Sequence, residues 1–144
     1  MFVTTVAGTH ERPGLPCGRE VELPGRGTTF VRDVSGPPGA PVLLLLHGWS
    51  ATADLNWHPS FLPLARHFRV IAVDHRGHGQ GLRSDETFRL EDCADDIAAL
   101  AEQLGIEHLI AVGYSMGGPI AQLLWQRHPH LVRGLVMCAT SASL

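Results

Sequence analysis

One stretch constrains this chain more than any other. The apolar run Leu109-Ile110-Ala111-Val112 leads straight into Gly113-Tyr114-Ser115-Met116-Gly117-Gly118. A run that short reads as a buried strand. Gly113 to Gly117 fits G-x-S-x-G, a pattern that needs a strand before it and a helix after it. The glycines provide room, because larger side chains beside a serine on a sharp turn would collide with the strand and the helix. Such a turn pushes the Ser115 hydroxyl out at the strand end, over the N-terminus of the next helix. Free N–H groups and the helix dipole there favour a developing negative charge. In a chain with 16 glycines, the same residues also fit a plain Gly-rich turn with an exposed serine. The surroundings must decide.

Residues 1–18 form a polar arm with Gly and Pro and no periodicity, expected to be loosely held. Arg19 to Leu23 and Thr28 to Val34 read as two short strands around Pro24-Gly25-Arg26-Gly27, the second suited to an edge region. Prolines make Ser35 to Pro41 a loop. Val42 to Leu46 (Val-Leu-Leu-Leu-Leu) reads as a strand buried on both faces, and it ends in His47-Gly48-Trp49. A helix is expected from Pro59 to His67, with Trp57 and Phe61 as core residues. Phe68 to Val73 is a further buried strand that ends in Asp74-His75-Arg76-Gly77-His78-Gly79.

Leu90 to Leu104 is the clearest helix, with Leu90, Ala94, Ile97, Ala101 and Leu104 on one face. Glu91 and Asp92 suit its first turn and Gly105 its end. Asp92, Asp95 and Asp96 read as a solvated acidic face. After the Ser115 turn, a helix runs from Met116 to Arg127, with Trp125 expected to pack on the sheet, and Pro129 stops it. Gly134 to Cys138 is the last strand. Alternating buried strands and helices predict a parallel, doubly wound sheet with right-handed crossovers. In such sheets the working loops lie at the carboxyl ends of the strands. His47-Gly48-Trp49, Asp74 to Gly79 and Gly113 to Gly117 then fall on one sheet edge.

Composition narrows the function. A chain of 144 residues with 44% hydrophobic content is one domain with a real core. Its net charge of −3 gives no electrostatic case for nucleic acid or an anionic membrane. No segment is long and apolar enough to span a bilayer, and Met1 to Thr5 lack the start of a signal peptide. Cys17, Cys93 and Cys138 show no metal or redox spacing, so reduced thiols in a cytoplasmic protein are expected. None of the nine histidines makes an H-E-x-x-H or similar pattern, and no metal or cofactor is expected.

The ordered series strand-His-Gly-Trp, strand-Asp-His-Arg-Gly-His-Gly and strand-Gly-Tyr-Ser-Met-Gly-Gly resembles the α/β-hydrolase superfamily, in the style of its esterase, haloperoxidase-like and lipase-like members. The resemblance covers roughly residues 19–144, expected as a partial domain of that fold. It implies a small-molecule ester, lactone or amide substrate attacked by Ser115. It also implies that the backbone N–H groups of Met116 and Trp49 form the oxyanion hole. Asp74 to Gly79 resembles the family's structural turn, in which Arg76 braces loops.

The family order is serine, then acid, then histidine, yet no Asp or Glu follows Met116. His128 and His130, in His-Pro-His, fall at the opposite sheet edge. The resemblance is thus to the front half of a hydrolase, truncated after the strand that follows the nucleophile helix. In the family's strand order the His47 strand lies beside that of Ser115, at about 5 Å, and that of His75 lies one strand further out. His47 is then the best stand-in for a base, although its more ordinary role is to hold the loop after its own strand. Two outcomes stay open: a serine hydrolase, or a catalytically incomplete fragment. Leu135, Val136 and Met137 would also leave an apolar sheet edge prone to self-association.

Overall fold

The computed structural model describes residues 14–142. Its elements are β1 (Gly18–Leu23), β2 (Gly27–Val34), β3 (Val42–Leu46), α1 (Ala53–Ala65), β4 (Arg69–Val73), α2 (Leu90–Gln103), β5 (Leu109–Tyr114), α3 (Gly117–Arg127) and β6 (Val132–Cys138). They form one six-stranded sheet in the order β1-β2-β4-β3-β5-β6. β3 to β6 run parallel, whereas β1 and β2 form an antiparallel hairpin that joins β4. This is the α/β-hydrolase type of sheet expected from the sequence.

The unbroken apolar runs have a simple cause. Side chains alternate across a strand, and helices cover both faces of this sheet. Leu44, Leu46, Ile71, Val73 and Ala111 turn towards Ile97, Leu100, Ile120 and Leu124 on α2 and α3. Leu43, Leu45, Val70, Ala72 and Val112 turn towards Trp57 and Phe61 on α1. Leu45, Leu46, Val70 and Ile71 are fully buried, each worth roughly 1.5–3 kcal/mol of burial. The register then aligns the strand ends: Leu46 lies opposite Val73 on one side and Gly113 on the other.

Four expectations need correction. First, α1 starts at Ala53 and not at Pro59, because Thr52 caps it by accepting the Leu55 N–H (3.2 Å). Pro59 and Pro63 lie inside it, where each removes one backbone donor. Second, Trp125 is half exposed and does not pack on the sheet. Third, Asp96 is buried, not part of a solvated face. Fourth, the described end of the arm is tied down: Leu15 packs against the α1-side core and the Pro16 carbonyl accepts from Arg32 (2.6 Å). Residues 1–13 lie outside the described residues.

Candidate active site

The turn after β5 has the backbone that its glycines require. Ser115 has φ +50°, in the left-handed region that an L-residue with a Cβ rarely adopts. A methyl group on Gly113 would run into the Gly117 carbonyl, and one on Gly117 into the Leu46 carbonyl. Only glycine fits at either place. The strained residue is held from β6: its N–H donates to the Cys138 carbonyl (3.0 Å), and Thr140 Oγ1 donates to the Ser115 carbonyl (2.7 Å). Gly118 packs so closely under Thr140 that it too admits no side chain. Ser115 is exposed and sits at the N-terminus of α3, with Met116 as the cap residue.

Beside it lies the loop after β3. A methyl group on Gly48 would stand 3.2 Å from Ser115 Cβ, so these two backbones are near neighbours. The Gly48 N–H donates to Asn56 Oδ1 on α1 (2.8 Å), and the Gly48 carbonyl accepts from His47 Nδ1 (2.7 Å). His47 Nε2 accepts the His75 N–H (2.9 Å), and this requires the proton on Nδ1. Both nitrogens of this fully buried ring are therefore engaged in joining the β3 and β4 loops. His47 holds its loop; it does not serve as a stand-in base. Among the described residues, neither the Trp49 nor the Met116 N–H donates to a protein acceptor. The Trp49 ring is 61% exposed and stands edge-on to His78 and Phe88, each at 5.4 Å between centroids.

The turn after β4 is structural, as its resemblance implied. Asp74 Oδ1 accepts the Ala53 N–H at the start of α1 (2.8 Å), and Oδ2 accepts the Gln80 N–H (2.9 Å). Arg76 makes a two-pronged ion pair with Asp96 of α2 (2.7 and 2.8 Å), and Arg26 of the β1–β2 turn adds a third bond (2.7 Å). This pairing is why an aspartate can be buried on α2. Burial depresses the pKa of His47, against the opposing pull of the Gly48 bond and Asp74, and depresses that of His75 still further. Both are neutral imidazoles at neutral pH.

An aspartate–histidine pair does exist, but in the wrong place. His128 Nε2 lies 2.8 Å from Asp95 Oδ1, beyond the far end of α3. Eleven helical residues separate it from the Ser115 turn, about 16 Å at 1.5 Å per residue. Arg127 completes that cluster and holds the Asp95 carboxyl down to about 2. Sequence reasoning placed Ser115, Met116 and Trp49 on one edge, and the structure brings them together. It missed Asn56, Asp96 and Thr140, which are joined to the site by pairings across the fold with no local spacing to announce them.

Comparisons with known proteins agree with this architecture. Residues 41–144 match the family model of the alpha/beta hydrolase fold. The chain is 35% identical over 118 residues to 2-(acetamidomethylene)succinate hydrolase of Mesorhizobium japonicum, covering 82% of this chain and 41% of that protein. It is 36% identical over 96 residues to the bifunctional esterase/perhydrolase DCH of Acinetobacter calcoaceticus, covering 66% and 34%. Among solved structures, Est816, described as an N-acyl homoserine lactone degrading enzyme, superposes with a TM-score of 0.76 at 28% identity, over 85% of this chain and 45% of that one. The chain thus spans between about a third and just under half of the length of these relatives. A strand–Ser–helix turn at the carboxyl edge of this sheet, with the family match over residues 41–144, makes the chain a member of the α/β-hydrolase family.

Proposed function

We propose that Ser115 is the nucleophile of a hydrolase that acts on the ester, lactone or amide carbonyl of a small molecule through an acyl-enzyme. The observation that carries this reading is the left-handed backbone of Ser115, held between glycines that admit no side chain. Strain kept at an exposed serine calls for a functional reason. In the reaction, Ser115 Oγ bonds to the carbonyl carbon and the bond to the leaving alcohol or amine breaks. The serine proton passes to that leaving group, and water then releases the acid and restores the hydroxyl. The tetrahedral oxyanion is received by the Trp49 and Met116 N–H groups, which have no acceptor among the described residues. Hydrolysis of esters and lactones is favoured by two of the relatives, an esterase/perhydrolase and a lactone-degrading enzyme.

The second reading, a catalytically incomplete fragment, is favoured by a specific observation. No acidic residue follows Met116, and the Asp95–His128 pair lies at the other end of α3. A hydroxyl without a general base is a weak nucleophile. The 144-residue chain by itself is expected to hydrolyse activated esters little better than free imidazole. Labelling of any complete version of the protein with a fluorophosphonate tests the main reading, since the probe reports a base-activated serine. The tag is expected on Ser115 and is lost in Ser115→Ala. A tag on any other residue, or one that survives that change, refutes the assignment. No helix among the described residues is long and apolar enough to cross a membrane. Three free cysteines fit a cytoplasmic protein.

A further inference from the structure

We propose that Asn56 is a positioning residue: with His47 it fixes the peptide between Gly48 and Trp49 in the one orientation that offers the Trp49 N–H to the reacting carbonyl. The inference rests on the proposed serine chemistry and deepens it.

Two consecutive peptides of the β3 loop are held from opposite sides. In the His47–Gly48 peptide, the N–H is taken by Asn56 Oδ1 at 2.8 Å. In the Gly48–Trp49 peptide, the carbonyl is taken by His47 Nδ1 at 2.7 Å. All peptide bonds are trans among the described residues, so the Trp49 N–H points opposite to the Gly48 carbonyl. With that carbonyl turned inward to the buried His47 ring, the Trp49 N–H is turned away from it. Meanwhile the Gly48 N–H is already satisfied, so it cannot compete as the oxyanion donor. Of these two peptides, only the second has its N–H left to donate.

Glycine at position 48 makes this orientation necessary to enforce. With no Cβ, both peptides around it can rotate at little steric cost. A flipped Gly48–Trp49 peptide would aim a carbonyl oxygen where the oxyanion forms, replacing attraction by repulsion. His47 holds the carbonyl of that peptide directly, and Asn56 anchors the preceding peptide to α1, so the chain is pinned on both sides of the freely rotating Gly48 Cα. Asn56 is itself well seated, its N–H bonded to the Thr52 carbonyl within the first turn of the helix (3.2 Å).

The test compares wild type, Asn56→Leu, Asn56→Asp and Ser115→Ala by hydrogen exchange resolved to single amides and by the rate of fluorophosphonate labelling. In labelling, the Oγ–P bond forms, fluoride leaves and the hydroxyl proton passes to water. In wild type, the Gly48 amide is expected to exchange at least tenfold more slowly than that of Trp49. Asn56→Leu removes the acceptor at similar volume; it should abolish this difference and slow labelling of Ser115 by about 10²-fold, the scale of a misplaced catalytic group. Asn56→Asp keeps an acceptor oxygen and should restore both, which a merely space-filling role would not require. Gly48 exchange equal to that of Trp49 in wild type overturns the proposal, and this measurement needs no variant to fold. Wild-type labelling in Asn56→Leu also overturns it. Label that persists in Ser115→Ala, or is absent from a complete version of the protein, while Gly48 behaves as expected, overturns the serine reading and leaves the peptide anchor standing.

Discussion

The two lateral edges of the sheet are built on different principles. β1 exposes Arg19, Glu20 and Glu22 while Val21 and Leu23 turn into the core. Charges along an outermost strand discourage pairing with a further strand. β6 pairs only with β5 among the described residues, yet Gly134-Leu135-Val136-Met137-Cys138 carries no charge. Its residues are mostly half-buried, and Val136 is 46% exposed. One edge is made to face water and the other to be covered. The ties differ as well: Asp96 anchors the β1–β2 turn through a part-buried ion pair with Arg26 and the turn after β4 through a buried one with Arg76, whereas Thr140 anchors the β6 end through a single neutral hydrogen bond.

The largest expected effect is on assembly. The 144-residue chain should self-associate through β6, and Val136→Lys should shift it towards monomer in sedimentation velocity. Changes to Glu20 and Glu22 that keep their charge should leave the sedimentation profile unaltered. A clean monomer at all concentrations, with cooperative melting, would break the contrast between the edges.

Next in size, Asp96→Ala should destabilise the fold by about 3–5 kcal/mol, since it takes both hydrogen-bonded carboxylate oxygens from the buried Arg76 and leaves it only the more distant Asp92 at 3.9 Å. Chemical denaturation read by circular dichroism checks this. A loss below about 1 kcal/mol, the median for surface pairs, would mean that the β1 side is no more firmly anchored than the β6 side.

A third expectation concerns acid. His47 and His75 have folded pKa values depressed by burial, so the unfolded chain binds protons first. Stability should therefore be full above about pH 6.5 and fall as pH drops below it. Asp95, lowered from 3.8 to about 2 by Arg127 and His128, contributes stability above the higher value. That contribution is lost as pH falls towards about 2. Melting temperature against pH should thus decline in two stages. A curve flat from pH 7 to 5 would contradict the neutral, buried imidazoles at the carboxyl edge of the sheet.

The smallest effect belongs to the β6 side. Thr140→Val removes the bond to the Ser115 carbonyl but keeps the shape over Gly118. It should cost about 1 kcal/mol, seen as a modest fall in melting temperature. Thr140→Ser should recover most of that loss.

The amino-acid sequence by itself determined whatever is set by short-range sterics and by burial. The apolar runs of β3, β4 and β5 announced strands covered on both faces, because a solvated face would have demanded alternation. Gly113 and Gly117 announced the sharp turn at Ser115, because no side chain fits beside it. Parallel crossovers then placed His47-Gly48-Trp49 and Ser115 on one edge. The tertiary structure alone decided the pairings between segments far apart in the chain: Asn56 with Gly48, Asp96 with Arg76 and Arg26, and Thr140 with Ser115. It also decided the role of His47, whose Nδ1 is engaged by the Gly48 carbonyl of its own loop and whose Nε2 is engaged by the His75 N–H of the neighbouring one. A hydrogen bond between distant residues leaves no period and no spacing in the sequence. It depends on which strand ends lie side by side, and that is known only once the sheet has formed.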